Sequence, residues 1–585
     1  MRKLVRVNMT QRTVTLEDLP EKYRFMGGRW LTSALVADEV PPTCHPLGPN
    51  NRLVVAPGMV TGTAAPSSGR VSVGGKSPLT GGVKESNAGT PVAQSLSRLG
   101  IAAVLVEGQP REKGALFVLR LGKGGGVLEP AGDLAGLGMY EFASRVRQRF
   151  GEVGFIATGP AGEKGMAMAG VCFNDTEFRP SRYAGRGGLG AVMAARGLKA
   201  ILVDDQGAPG VSLANPDLFR QGQRKLADAL REHPITRPGG TLNSFGTAAL
   251  INVLNEAGGL PTRNFSSGRF EGAGRIAGET IAETVKARGG QGRMGHGCHP
   301  GCVIQCSNIW ARPDGSEHVS CLEYESVWAL GADCGIDDLD AIAELIWICN
   351  DSGLDTIEAG VTLGVAMEAG LLPFGDARTA VELLKECGRG TPLGRILGNG
   401  AAFAGRGFGV TRVPVVKGQG MPAYEPRAVK GIGVTYMTSP MGADHTAGYT
   451  VAPEILSVGG KADPLAAGGK AKLSADLQAA TAFIDSTGYC LFIAFAVMDI
   501  PSGFEGMVET CNGVLGTEWT VADVAAIGAR IVAMERRFNE AAGITRAQDR
   551  PPEFMRYEPL PPHNQVFDVS DEELDQVGVL LGQDR

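Results

Sequence analysis

The sequence predicts an α+β protein in three parts: an N-terminal β-sheet domain over residues 1–208, then two mainly α-helical domains over 209–415 and 416–585. Up to about Asp205, short β-rich runs alternate with Gly/Pro turns, whereas beyond Gly210 apolar residues recur at helical spacing. A Gly/Pro-rich crossing from Pro392 to Gly420 divides the helical region, which places its internal boundary near Val415.

In the first part, strands are expected at Leu53 to Ala56, Ala102 to Glu107, Ala115 to Leu121 and Ala200 to Asp204. One helix, Pro91 to Leu99, interrupts them, because Thr90 can cap it and Pro91 suits a first turn. The middle part reads as helices at Pro216 to Glu232, Ser244 to Glu256, Leu339 to Asn350, Thr356 to Ala369 and Ala377 to Glu386. Helices at Ala475 to Thr487 and Thr520 to Ala541 mark the last part. From Arg550 the prolines at 551, 552, 559, 561 and 562 predict a tail that wraps over a surface. No repeat of fixed period is visible.

A chain of 585 residues has room for roughly three or four domains, and its 43% hydrophobic and 20% charged residues exclude wholesale disorder. Glycine supplies 85 residues without the collagen period, so tight turns and close backbone approaches are expected. The net charge of −6 provides no positive field for nucleic acid. Met1 to Pro20 lacks the continuous apolar core of a secretory signal, and the longest apolar run, Cys490 to Met498, is too short to span a bilayer. The expectation is a cytoplasmic protein without a membrane partner.

Of eleven cysteines, three fall in His296-Gly-Cys298-His299-Pro-Gly-Cys302-Val-Ile-Gln-Cys306. Three thiolates on one short loop suit three corners of a [4Fe-4S] cube, whose fourth iron then needs a distant ligand, for which Cys490 is the candidate. Pro300-Gly301 keeps a regular helix from carrying these thiols apart along its axis. No C-x2-C pair of the zinc type is present, although His296 and His299 keep a mixed-ligand zinc site open. The other seven cysteines are expected to be inert buried thiols.

Gly185-Arg186-Gly187-Gly188-Leu189-Gly190 satisfies G-x-G-x-x-G, but the polar, proline-containing Asn174 to Arg182 precedes it where a dinucleotide fold has a buried strand. What remains is a glycine turn at a helix start that offers N–H groups to phosphate.

The chain resembles the tungsten- or molybdenum-dependent aldehyde ferredoxin oxidoreductases over nearly its whole length. The carriers are Ser68-Gly69-Arg70 through Lys76-Ser-Pro-Leu-Thr-Gly81, Glu85-Ser-Asn87-Ala-Gly89, Ala184-Gly-Arg-Gly-Gly-Leu-Gly-Ala-Val-Met193, Glu323-Tyr-Glu325, Gly442-Ala-Asp-His445 and Asp485-Ser-Thr-Gly488-Tyr-Cys490. The resemblance implies a sheet domain that cradles a bis-pyranopterin of tungsten or molybdenum beside one [4Fe-4S] cluster held by Cys298, Cys302, Cys306 and Cys490. It implies a magnesium bridging the pterin phosphates, with oxygens from Asn87 and Ala184, near Arg70, Gly89, Gly185, Arg186 and Gly187. Arg70 is also expected to touch Cys490. Two pterin-holding signatures follow, one at Asp485 and Gly488 and one at Asn350, Gly353 and Leu354. Asn350 stands where the family has aspartate, and an amide donates as well as accepts and carries no charge. The best-known members space their first two cluster cysteines as C-x2-C, one residue shorter than here.

The activity implied is oxidation of an aldehyde to a carboxylic acid, with Glu325 and His445 as the acting side chains. Glu323 competes with Glu325 for its role. The electrons are expected to leave through the cluster to ferredoxin or an iron–sulfur subunit, and the resemblance also implies an oligomer or a subunit of a complex. Two alternatives are a related catalytic subunit acting on another substrate, such as an aromatic CoA thioester, and a non-catalytic iron–sulfur or zinc protein.

Overall fold

In the computed structural model, residues 2–582 are described. The mixed α+β architecture is as expected: two six-stranded sheets occupy the first third, and helices dominate the rest. Among the described residues no helix is long and apolar enough to cross a membrane.

The two sheets are copies of one pattern. Edge to edge, the first runs Thr13–Asp18, Lys3–Asn8, Ile101–Glu107, Leu53–Pro57, Arg70–Lys76 and Val83–Gly89. The second runs Gly125–Pro130, Phe117–Gly122, Leu198–Val203, Gly154–Thr158, Val171–Phe173 and Arg182–Ala184. Every pairing has the same direction in both, including one parallel pair in each sheet. The register slip recurs too: Lys3 faces Ile101 and Leu4 faces Ala103, just as Phe117 faces Leu198 and Val118 faces Ala200. Helices Gly28–Glu39 and Met139–Phe150 occupy corresponding connections, as do Pro91–Arg98 and Leu189–Ala195.

This duplication was not legible as a fixed period, because the separation between equivalent residues shrinks from the pair Lys3/Phe117 to the pair Asn87/Tyr183. What repeats is the hydrogen-bond ladder and an apolar face, which many sequences satisfy.

The four expected strands form, within a few residues of their expected ends. Thr90 caps its helix by accepting from the Val92 N–H. Three helices of the sheet domain, Gly28–Glu39, Met139–Phe150 and the single turn Pro160–Glu163, were not expected. The expected helix Ser244 to Glu256 is broken: Thr241–Phe245 ends at Gly246, whose φ of 64° turns the chain before Leu250–Glu256. Within the expected crossing, Pro392–Leu397 and Ala401–Phe408 are helices, the first capped by Thr391. The helical region also carries a three-stranded sheet, Arg293–His296, Ser307–Ala311 and Glu317–Ser320, where the cysteine loop had hidden the strand pattern. The tail lays Phe554, Met555, Leu560, Phe567 and Val569 into the core before a last helix, Asp571–Leu580.

Helices from the middle and last thirds meet through glycine. Gly222 of Pro216–Glu232 and Gly506 of Pro501–Leu515 press together so closely that a Cβ on either would lie 2.6 Å from the other's carbonyl oxygen. Only bare backbones fit such a crossing.

Candidate active site and thiol cage

Both signature segments cap helices that point at the sheets. Lys470–Thr487 ends at Gly488 (φ 90°) and Leu339–Ser352 ends at Gly353 (φ 77°), each left-handed as a helix-terminating glycine favours. Gly488 lies against Gly58 at the end of one sheet strand, and Gly353 against Gly159 at the equivalent place in the other. The Arg70 N–H donates to Gly488 O at 3.1 Å, and the Gly170 N–H to Gly353 O at 3.0 Å. The duplication therefore presents two equivalent half-sites, Asp485 to Cys490 and Asn350 to Asp355.

Cys490 and the cysteine loop meet at Ser67. Its N–H donates to Gly301 O (2.9 Å), its oxygen accepts from the Cys490 N–H (2.8 Å), and its Oγ accepts from the Val303 N–H (3.2 Å). Cys298, Cys302, Cys306 and Cys490 all line one cavity. The Cys298 thiol is held well below its ordinary pKa, first by its hydrogen bond with Cys302, with Arg182 and Arg70 assisting. Arg70 reaches toward Cys490 Sγ (3.9 Å) while its Nε donates to Asn87 Oδ1 (2.5 Å). Gly89 admits the cage, since a Cβ there would lie 2.6 Å from Cys298 Sγ. Cys298, His299 and Cys302 place ligand atoms within 4.8 Å of one another, but His299 is spoken for: Nδ1 bonds Pro300 O (2.9 Å) and Nε2 faces the Gly69 N–H (3.4 Å).

The cavity measures about 690 Å³ and extends from the thiols past Arg70, Asn87 and Asp485 to Glu325 and His445. Glu325 Oε1 and His445 Nε2 are 3.4 Å apart. The contact falls short of a hydrogen bond, and both Glu325 Oε1 and His445 Nδ1 are buried without a partner. Burial pushes the Glu325 carboxyl up to about 8 and the His445 imidazole down to about 4, with Asp444 opposing and Arg186 and Lys84 assisting the second shift. The His445 loop is pinned on two sides. Lys84 Nζ donates to Asp444 Oδ2 (3.0 Å), and Arg186 donates to Ala443 O (2.7 Å), Gly420 O (2.7 Å) and Asp355 Oδ2 (3.2 Å).

Gly89, Gly185, Arg186, Asn350 and Leu354 also face the cavity, whereas Ala184, Gly187, Gly353 and Gly488 lie behind its wall. Gly187 is needed where it is, because its φ is 84° and a Cβ would strike the Lys84 side chain at 2.4 Å. Glu323 is saturated by Thr247 (2.6 Å), Ser307 (2.9 Å) and Cys321 (2.9 Å), which leaves Glu325 as the glutamate with an uncommitted oxygen. Cys321, expected to be inert, lines the cavity beside Arg182, whose buried Nε and NH2 have no partner. Nothing in the isolated motif Arg182-Tyr183 signalled this.

A bis-pterin and a cubane fit these residues: four convergent thiols, orphaned buried nitrogens at Arg182, and a glycine rather than a side chain at positions 89 and 185. Comparison with known proteins agrees. Residues 4–205 match the family model "Aldehyde ferredoxin oxidoreductase, N-terminal domain", and residues 221–577 match "Aldehyde ferredoxin oxidoreductase, domains 2 & 3". The tungsten-containing aldehyde ferredoxin oxidoreductase of Pyrococcus furiosus is 34% identical over 582 residues, covering 96% of this chain and 92% of that relative. The protein of the same name from Thermococcus kodakarensis is also 34% identical, with the same coverage. An aliphatic sulfonate oxidoreductase, WOR-like subunit, from Pyrococcus furiosus is 25% identical over 96% of this chain and 90% of its own length. The active-site complex BamBC of benzoyl coenzyme A reductase shares the fold at a TM-score of 0.80 and 18% identity, covering 99% of this chain and 94% of that one. With both of its parts matched and its cysteines gathered at one cavity, the chain belongs to the aldehyde ferredoxin oxidoreductase family.

Proposed function

We propose that this protein oxidises aldehydes to carboxylic acids at a tungsten (or molybdenum) bis-pyranopterin centre and passes the electrons through a [4Fe-4S] cluster to ferredoxin or an iron–sulfur subunit. The observation that carries this reading is the single cavity with four thiols at one side and the uncommitted Glu325–His445 pair at another. Cys298, Cys302, Cys306 and Cys490 would hold the cluster. Arg70, Asn87, Asp485, Asn350 and Leu354 would hold the pterins, and Asn87 and Ala184 would offer oxygens to a magnesium ion. Gly353 and Gly488 would act from behind the wall by fixing the helix ends, and Gly187 by admitting Lys84.

The reaction converts RCHO and H2O into RCO2H, two protons and two electrons. When bound, the bis-pterin metal centre supplies the two-electron oxidation and the oxygen transfer. The protein aims the carbonyl and handles protons. At neutral pH Glu325 is a carboxylic acid and His445 a neutral imidazole. A small closure of their 3.4 Å contact lets Glu325 donate to Nε2, which fixes the N–H on Nδ1, the ring atom left without a protein partner. With a turn of the ring that brings the buried Nδ1 to the cavity surface, that N–H is the donor for the aldehyde oxygen. Arg186 and Lys84 hold the loop in register through Ala443 and Asp444.

The test is element and pterin analysis of the purified protein, followed by an aldehyde assay with a viologen acceptor. About four iron and one tungsten or molybdenum per chain with viologen reduction is the expected result. Full metal loading without turnover of any aldehyde overturns the activity, and a metal-free chain overturns the site.

A further inference from the structure

From His445 a row of aromatic rings runs along the cavity wall. Tyr424 lies 6.1 Å from the His445 ring, tilted by 36°; Tyr449 follows at 5.6 Å and 78°, Phe495 at 6.2 Å and 81°, and Phe492 at 5.9 Å and 19°. All of them face the same cavity. The row is stiff. Tyr424 and Tyr449 share a hydroxyl–hydroxyl hydrogen bond of 2.9 Å, and Tyr324 backs Tyr424 at 5.4 Å while its own hydroxyl donates to Ala423 O at 2.7 Å.

Such a row could simply be core packing, but a core row would be closed off on both sides, and this one forms a wall beginning at the side chain proposed to receive the carbonyl. Rings held edge-to-face offer the next ring both an electron-rich face and a positive edge. A flexible alkyl chain takes up only the apolar area and must be ordered to do so. A ring is already ordered.

Resting on the aldehyde-oxidation reading, we propose that Tyr449 and Phe495, backed by the fully buried Tyr424, form a binding face for an aromatic ring, so that the preferred substrates are aldehydes with an aryl group attached directly or through a one- or two-carbon spacer.

The test compares kcat/KM of the metal-loaded enzyme for benzaldehyde and phenylacetaldehyde with that for cyclohexanecarboxaldehyde, which matches the ring in size without its π face. The aryl substrates are expected to lead by about 10-fold or more, the sum of one or two ring contacts. In Tyr449→Leu and Phe495→Leu, which keep apolar bulk, the aryl-to-cyclohexyl ratio falls toward one. Equilibrium binding of benzoate against cyclohexanecarboxylate reads the same preference without turnover, and it is expected to weaken in both variants. Equal wild-type ratios in turnover and binding, or ratios that the variants leave unmoved, overturn the proposal. If benzoate is preferred and the preference needs Tyr449, but no aldehyde is oxidised, the ring site stands and the aldehyde reading falls.

Discussion

Tyr183 occupies in the second sheet the position that Asn87 occupies in the first: Asn87 is paired with Ser72, and Tyr183 with Cys172 at the matching rung. Each touches the signature residue of its own half-site. Asn87 Nδ2 donates to Asp485 Oδ1 at 3.3 Å, and the Tyr183 hydroxyl donates to the main-chain oxygen of Asn350. The surroundings differ in the same sense. Asp485 sits among Glu85, Arg29 and Glu535, whereas Asn350 sits among Tyr183, Tyr140 and the Ser320 carbonyl. The asparagine that departs from the family signature thus has neutral neighbours where Asp485 has charged ones, and the charges of its half-site lie at the other end, where Arg186 meets Asp355.

Replacing Asn350 by aspartate should therefore harm the protein. Asn350 Nδ2 donates to Ser320 O at 3.3 Å; a carboxylate there sets acceptor against acceptor, with neutral partners only at this side chain to offset its burial. Asn350→Asp is expected to lower the unfolding free energy by about 1–3 kcal/mol, measured by denaturant titration at pH 7. Unchanged or increased stability would mean that an unrecognised cation serves this half-site.

The proposed proton chemistry fixes the sign of the pH profile. Glu325 has its pKa raised to about 8 and acts in its protonated form, so kcat/KM is expected to fall as pH rises through about 8. His445, lowered to about 4, acts as neutral imidazole, so activity is also lost as pH falls through about 4. Glu325→Gln keeps a donor to Nε2 but no longer titrates, so it should keep most of kcat/KM at neutral pH and lose the alkaline limb, whereas Glu325→Ala, which removes the donor, should lose about 10²-fold or more. Activity that instead climbs through pH 8 would make the Glu325 carboxylate a base.

Arg29 ties the charged half-site to the last long helix. Its Nε and NH2 meet both oxygens of Glu535 at 3.0 and 2.8 Å, and NH1 faces Asp485 at 3.4 Å, all of them buried. Arg29→Met leaves two carboxylates without their counter-ion and is expected to cost about 3–5 kcal/mol, much of which Glu535→Gln in the same chain should restore. A double variant no more stable than the single one would show that the loss comes from packing of the arginine stem.

Much of this was legible where the signal is local. Thr90 before Pro91, the break after Asp205 and the glycine-flanked cysteines each announce themselves within a dozen residues. The duplication is not local: it lies in rungs such as Ser72–Asn87 and Cys172–Tyr183, whose side chains share nothing. Gly246 and the glycines between Pro392 and Gly420 misled in opposite directions, because the same residue ends one helix and sits harmlessly inside another. Glu323 and Glu325 are indistinguishable in sequence, and only the partners brought by Thr247 and Ser307 separate them.

Two glycines at equivalent positions, Gly89 at the end of one strand and Gly185 just past the end of its counterpart, separate the two cofactors experimentally. A Cβ on Gly89 would lie 2.6 Å from Cys298 Sγ, whereas one on Gly185 meets no protein atom closer than 3.8 Å, and neither residue has a left-handed φ that would strain alanine. Gly89→Ala must therefore displace the Cys298 thiol, and it is expected to lose most of the iron and the visible absorption of the cluster while the far-UV circular dichroism stays that of a folded chain. Gly185→Ala is quiet in the protein but projects a methyl into the cavity, so it should retain its iron and lose tungsten or molybdenum together with extractable pterin. Iron, group-six metal and pterin are measured on the same preparations. Loss of iron from Gly185→Ala, or full iron in Gly89→Ala, would mean that the thiol cage and the pterin bed are arranged differently around this strand pair.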